Sequence, residues 1–147
     1  MAISFHSEVV PFVLPQKNLH KRWIRKVIHR HGKLPGEIQY IFTSNDYLLV
    51  INRKYLNHDH YTDVITFDYG EGKKISGDVF ISVEQVEINA EYYGTVEADE
   101  MRRVMIHGIL HLLGYKDEQE DEKRRMREME DEALNLWQKG EKHDFIV

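Results

Sequence analysis

Cysteine is absent from the chain, which removes disulfides and thiolate ligands and leaves histidine and carboxylate as the only side chains able to hold a metal ion. No apolar run approaches the roughly 18 residues of a membrane span, and the opening MAISFHSEVV lacks the charged-then-apolar layout of a signal peptide. A cytoplasmic protein with no membrane partner is therefore expected. Repeats, Gly- or Ser-rich linkers and low-complexity stretches are missing too, so residues 1–147 are read as one domain. A chain of this length can bury roughly 70 per cent of its unfolded surface and needs no staple.

Charge of one sign is missing locally. Between Lys17 and Lys33 stand seven Lys or Arg residues and no acid, whereas residues 117–132 carry nine acids against four bases. The net charge of -5 argues against general nucleic-acid affinity, but its polarisation leaves two readings for the basic stretch: a solvated helix face or a surface that follows a phosphate backbone.

What is present reads as alternating strands and helices. ISFHSE alternates as a strand, and Leu19, Trp23, Ile24, Val27 and Ile28 recur at helical spacing beneath the basic residues. Gly32 and a Pro35-Gly36 turn are expected to end that helix before strand EIQYIFT, whose Ile38, Tyr40 and Phe42 share a face. Ser44 is placed to cap helix SNDYLLVINRKYL, and the polar loop NHDHY leads to strand TDVITFDY. After the turn EGKK comes strand ISGDVFIS, and then a helix opened by a Ser82/Gln85 capping box and closed near Gly94. Another helix begins near Glu97 to Asp99 and stops at Gly114. The last runs from about Glu118 to Trp137, with Met126, Met129, Ala133, Leu136 and Trp137 as its buried stripe. The expected fold is α/β (α+β), a single-domain sandwich with a small mixed sheet of three or four strands, helices packed on it, and the penultimate helix central.

That central helix carries the most specific pattern. In HGILHLLGYKD, residues 107–117, the histidines His107 and His111 are four apart and so aim from one helix face. Gly114 can end the helix in the left-handed conformation and turn the chain back, bringing Asp117 toward the two imidazoles. Two imidazoles and one carboxylate leave tetrahedral zinc one open position, which suits a metallohydrolase. The competing reading is two histidines hydrogen-bonded in a polar core, with Asp117 capping the next helix. Zinc proteases with paired helix histidines place a glutamate directly after the first, and here that residue is Gly108, which counts against peptide hydrolysis. Phosphodiester chemistry asks less of a general base and more of cations. Arg103, one turn before His107, and Arg53 and Lys54, ahead of the NHDHY loop, are candidates for holding phosphate oxygens. His58 and His60 are read as solvent-exposed rather than as further ligands. The general base is unknown.

HGILHLLGYKD, preceded by YTDVITF at 61–67 and SGDVFIS at 76–82, resembles the YbeY-type endoribonuclease family, over roughly residues 36–137. The resemblance implies a zinc-dependent, single-strand-specific endoribonuclease that matures ribosomal RNA, notably the 3′ end of the small-subunit species, with one zinc per chain and the small ribosomal subunit as partner. Carried over by position, the ligands fall on His107, His111 and Asp117, while Thr62, Asp63, Gly77 and Asp78 lie in segments that shape the site. Two departures stand out. The family usually has a third histidine, preceded by an acid, where this chain has Asp117 preceded by Lys116; a carboxylate ligand would weaken the ion as a Lewis acid, and Glu118 is an alternative third ligand. The family also commonly has an arginine where this chain has Leu56. A non-catalytic ribosome assembly factor with a structural metal is the second reading, and a metalloprotease the third.

Overall fold

The computed structural model describes residues 2–143. Its strands are β1 (Ile3–Ser7), β2 (Leu34–Thr43), β3 (Val64–Asp68) and β4 (Lys74–Ser82), and its helices α1 (Lys17–Arg30), α2 (Asn45–Tyr55), α3 (Val83–Tyr93), α4 (Glu97–Leu112) and α5 (Glu120–His143). The strands form one mixed sheet in the order β1-β2-β4-β3. β1, β2 and β4 run parallel, whereas β3 pairs antiparallel with β4. Connection length explains the difference: a tight turn suffices between β3 and β4, while parallel neighbours need a helical crossover.

Strand periodicity sends alternate side chains to two helical layers. Ile38, Tyr40 and Phe42 of β2 and Ile75, Val79 and Ile81 of β4 face the main core, with α1, α4 and α5. Ile65 and Phe67 of β3 and Phe80 of β4 face the other way, onto Leu48 and Ile51 of α2. Trp23 Nε1 donates to the Ala133 carbonyl at 2.7 Å, joining α1 to α5, and Tyr40 Oη donates to the Met105 carbonyl at 3.0 Å, joining α4 to the sheet. Helix α4 is central, as its apolar run requires: Met101, Val104, Met105, Ile106, Ile109, Leu110 and Leu112 are all buried. Gly108 lies on its sheet-facing side, where an added Cβ would come within 2.6 Å of Val79 Cγ1. The position at which zinc proteases carry their glutamate has no room here for any side chain.

Several boundaries differ from the sequence reading. Pro35 and Gly36 lie inside β2 rather than in a turn; the register slips between Pro35 and Ile38, and such an irregularity tolerates proline within a sheet. The turn comes earlier, at Gly32, with φ 76°. β3 starts at Val64 instead of Thr62, and α5 continues to His143 rather than stopping at Trp137. Leu136 is only half-buried, the rest of its expected stripe being buried. Ser44 and Ser82 both cap, accepting from Tyr47 N at 3.2 Å and Gln85 N at 3.1 Å. The reciprocal half of the capping box is missing, because the Gln85 side chain donates to Asn89 Oδ1 instead. Among the described residues no helix is long and apolar enough to cross a membrane.

Candidate metal centre

Helical spacing and one glycine build the site. His107 and His111 project from one face of α4, and Gly114, at φ 100°, turns the chain immediately after it. The turn is closed by backbone bonds from Gly114 N to His111 O and from Tyr115 N to Leu110 O, both 3.0 Å. Tyr115 is held at its far end as well, its hydroxyl 2.9 Å from His31 Nδ1 at the end of α1. The folded-back segment then delivers Asp117. His107 Nε2 and His111 Nε2 are 3.0 Å apart, and Asp117 Oδ2 is 3.2 Å from the first and 3.5 Å from the second. Donors bonded to one tetrahedral zinc at about 2.0–2.2 Å stand about 3.3–3.6 Å from each other, so the triangle has the size of an ion's coordination edge.

The hydrogen bonds decide what these three atoms are. His107 Nδ1 lies 2.7 Å from Glu130 Oε2, and His111 Nδ1 lies 3.0 Å from the Tyr115 carbonyl. Both partners accept, so in the neutral form of each ring Nδ1 carries the proton and Nε2 turns its lone pair toward Asp117. Two lone pairs and a carboxylate oxygen converging at these distances repel one another unless a positive charge sits among them. The donor set therefore fits a divalent cation, and among the described residues it is the only group of three or more His, Asp or Glu ligand atoms lying mutually within 4.8 Å. Glu118 is exposed and its backbone N–H donates to Glu122, so the carboxylate that reaches the histidines is that of Asp117.

Glu130 was not legible as a site residue. It comes from α5, 23 positions after His107, with nothing in the local sequence to mark it. Its second oxygen accepts from Arg103 Nη1 at 2.9 Å, and Arg103 Nη2 reaches Asp131 Oδ1 at 2.7 Å. Burial works against the His107 imidazolium, but the hydrogen bond and charge of Glu130, joined by Asp63 and Asp117, outweigh it and raise the ring's pKa above the ordinary imidazole value. The same field that attracts a proton attracts a metal. Asp63 is itself pushed up by burial, opposed by His107, and its Oδ2 accepts from Asn89 at 3.2 Å.

The other sequence candidates fall around this centre. Arg103 lines a cavity beside His107, but its guanidinium is shared between two carboxylates. Arg53 pairs with Asp59, and Lys54 lies over the Tyr55 ring, 5.3 Å from its centroid. A second groove, about 480 Å³, reaches His111 and is lined also by Leu56, His58, His60, Thr62, Thr66 and Lys116. His58 and His60 are exposed, as the sequence reading had them, and their rings stack 5.3 Å apart. Buried Asn52 pins their loop, donating to the His60 carbonyl and accepting at its own carbonyl from His58 N, both at 2.9 Å. Gly77 and Asp78 sit in β4 beside β3, and an added Cβ at Gly77 would come within 2.4 Å of the Phe67 carbonyl and 2.8 Å of Leu112 Cδ2.

Comparison with known proteins agrees with this architecture. Residues 6–138 match the family described as Endoribonuclease YbeY. Curated proteins of that description from Bacteroides thetaiotaomicron and Parabacteroides distasonis are 46% and 47% identical to the chain over 136 residues, covering 92% of it and 99% and 96% of themselves. A solution structure of a Thermotoga maritima protein shares the fold, with a TM-score of 0.65 at 23% identity over 98% of this chain and 94% of that one.

Proposed function

Because the chain belongs to the YbeY endoribonuclease family, we propose that it is a metal-dependent endoribonuclease that cuts single-stranded RNA, with His107, His111 and Asp117 holding one zinc ion. The observation that carries this reading is the convergence of two imidazole Nε2 atoms and a carboxylate oxygen within 3.5 Å, an arrangement of the size and chemistry that a divalent cation stabilises. When bound, such an ion supplies Lewis acidity toward a phosphoryl oxygen and toward water. The chain's own residues do the rest. Glu130 fixes the His107 tautomer and feeds negative charge to it, and the Tyr115 carbonyl does the orienting at His111. Gly108 lets α4 seat closely on the sheet, and its lack of a side chain sets the site apart from a zinc protease.

Arg53, Lys54 and Arg103 are the cations we assign to substrate. Arg53 and Lys54 are exposed and free to exchange their present partners for phosphate. Arg103, held by two carboxylates, contributes its field and closes one wall. The basic face of α1, where Arg22, Arg25, Lys26, His29 and Arg30 line a shallow groove, is assigned to the RNA backbone. Maturation of ribosomal RNA on the small subunit, in the cytoplasm, completes the reading, with the whole chain as one catalytic domain. Protein purified without a tag or added metal is expected to carry about one zinc per chain and to cut single-stranded RNA; a His107→Ala/Asp117→Ala variant is expected to carry none and to cut nothing. A metal-free wild type would refute the site. A zinc-loaded wild type that cuts no RNA, beside a variant that loses both the metal and stability, would favour the assembly-factor reading instead.

A further inference from the structure

Two grooves adjoin the metal ligands, and they differ in charge. The cavity beside His107 is lined by three acids, Asp63, Glu100 and Glu130, set against Arg103 and Arg127. The groove that reaches His111 is lined by no acid and by three basic side chains, His58, His60 and Lys116. In a chain with 25 acids and a net charge of -5, that is a local reversal of sign. A strand of linked phosphates passing the ion therefore meets donors in the groove at His111 and a mixed field in the cavity at His107.

The donors of this groove can meet a ligand without first giving up a partner. Arg103 is committed to Glu130 and Asp131, whereas among the described residues Lys116 forms no ion pair and the His58 ring no hydrogen bond. Asp59, between the two histidines in the chain, pairs with Arg53. A metal is disfavoured, because His58 and His60 belong to no group of three ligand atoms among the described residues. The backbone on both sides is fixed in advance. Buried Asn52 holds the histidine loop through its two bonds of 2.9 Å, one to the His60 carbonyl and one from His58 N. The His60 ring donates from Nδ1 to the Tyr61 carbonyl at 3.3 Å and lies 21° from parallel to the His58 ring. Lys116 follows Tyr115, whose hydroxyl is tied to His31. Ordering of this kind reduces the entropy that binding must remove. Leu56, Val64 and Ile65 line the remainder, an apolar surface on which a ribose can lie.

We propose that this groove holds the RNA phosphate adjoining the one at the ion, Lys116 pairing with it and the His58 ring donating an N–H to it. The assignment rests on the endoribonuclease reading above and deepens it, since it fixes where the strand continues past the metal. A phosphodiester turns a negative charge and only acceptor oxygens toward the protein, which matches a wall of donors that holds no carboxylate. The contact is to the backbone, so it positions the strand without reading its bases.

Two measurements test it. In the first, the affinity of the intact protein for a short, labelled 2′-O-methyl oligouridylate is followed against salt concentration by fluorescence anisotropy. Each charged contact with a single strand adds about 0.7 to the slope of log K against log salt, so Lys116→Ala is expected to lower the slope by about 0.7 and Lys116→Arg to keep it. Lys73→Ala removes the same charge from the exposed turn between β3 and β4 and is expected to leave the slope unchanged. In the second, single-stranded RNA is digested after the phosphates flanking the cut are replaced, one at a time, by an uncharged methylphosphonate. One of these replacements is expected to lower wild-type kcat/KM roughly tenfold, the worth of one hydrogen bond to a charged group, and to cost the His58→Ala/Lys116→Ala variant almost nothing further. A merely damaged fold would slow cleavage of every RNA alike and would keep that difference between positions. A wild-type slope in Lys116→Ala, or an equal fall in Lys73→Ala, overturns the proposal, as does a methylphosphonate penalty that survives in the double variant. Cleavage of RNA with neither readout depending on the groove overturns it while leaving the endoribonuclease reading intact. A slope that depends on Lys116 without any cleavage upholds the groove and removes that reading.

Discussion

Replacing Glu130 by glutamine is expected to weaken metal binding 10- to 100-fold, or about 1.4–2.7 kcal/mol, while leaving the chain folded. Glu130 is 7% exposed and its two oxygens serve different partners, His107 Nδ1 at 2.7 Å and Arg103 Nη1 at 2.9 Å. Glutamine keeps one acceptor. If its oxygen stays on His107 the tautomer survives, but the negative charge that raises ligand basicity is gone and the amide NH₂ faces Arg103, donor against donor. Arg103 retains Asp131, so no guanidinium is stranded. Glu130→Ala removes the acceptor as well, lets His107 sample the other tautomer, and is expected to bind metal more weakly still. The affinity is measured by competition with a chromophoric chelator, wild type and variants at one fixed pH. Wild-type affinity, within twofold, in both variants would refute the reasoning and show that packing alone orients the ring.

Gly108→Ala is expected to destabilise the fold by up to about 2 kcal/mol in urea denaturation, the overpacking of about 1–3 kcal/mol against stiff Val79 being offset by the roughly 1 kcal/mol of helix propensity gained; a net gain in stability would refute the close seating of α4. Gly108→Glu, which would install the protease base, is expected not to fold, as the absence of a cooperative transition would show. His20, 1% exposed against Trp137, has its pKa lowered to about 4 by burial. Its unfolded value is near 6.5, so between pH 6.5 and 4 the unfolded chain binds a proton that the folded chain refuses. Stability is therefore lost as pH falls, about 2 kcal/mol by pH 5 and about 3 kcal/mol by pH 4. His20→Phe is expected to lack this component when both proteins are denatured in chelator across that range, and equal slopes would refute it.

Much of the molecule is legible in the chain itself. The helix and strand identities followed from apolar periods, and the faces of β2 and α1 were read correctly because side-chain direction is a local consequence of backbone geometry. His107, His111 and the turn at Gly114 were legible for the same reason, since four-residue spacing and one left-handed residue act within a dozen positions. Pro35 and Gly36 misled, because a register irregularity made by pairing with β4 admits a proline that local rules assign to a turn.

What the sequence by itself determined is thus the set of groups each element presents, including the imidazole pair and the acid after the glycine. Tertiary structure alone decided their chemistry. Glu130 reaches His107 only because α5 packs on α4, and that contact holds the proton of the neutral ring on Nδ1, with Nε2 facing Asp117. Tyr115 is held by His31, 84 residues away, so the loop that carries Asp117 depends on α1. Gly108 denies a protease base its place because Val79 comes from a strand nearly 30 positions earlier. Spacing along a helix is written in the chain, but which distant element closes over it is settled by packing of the whole core.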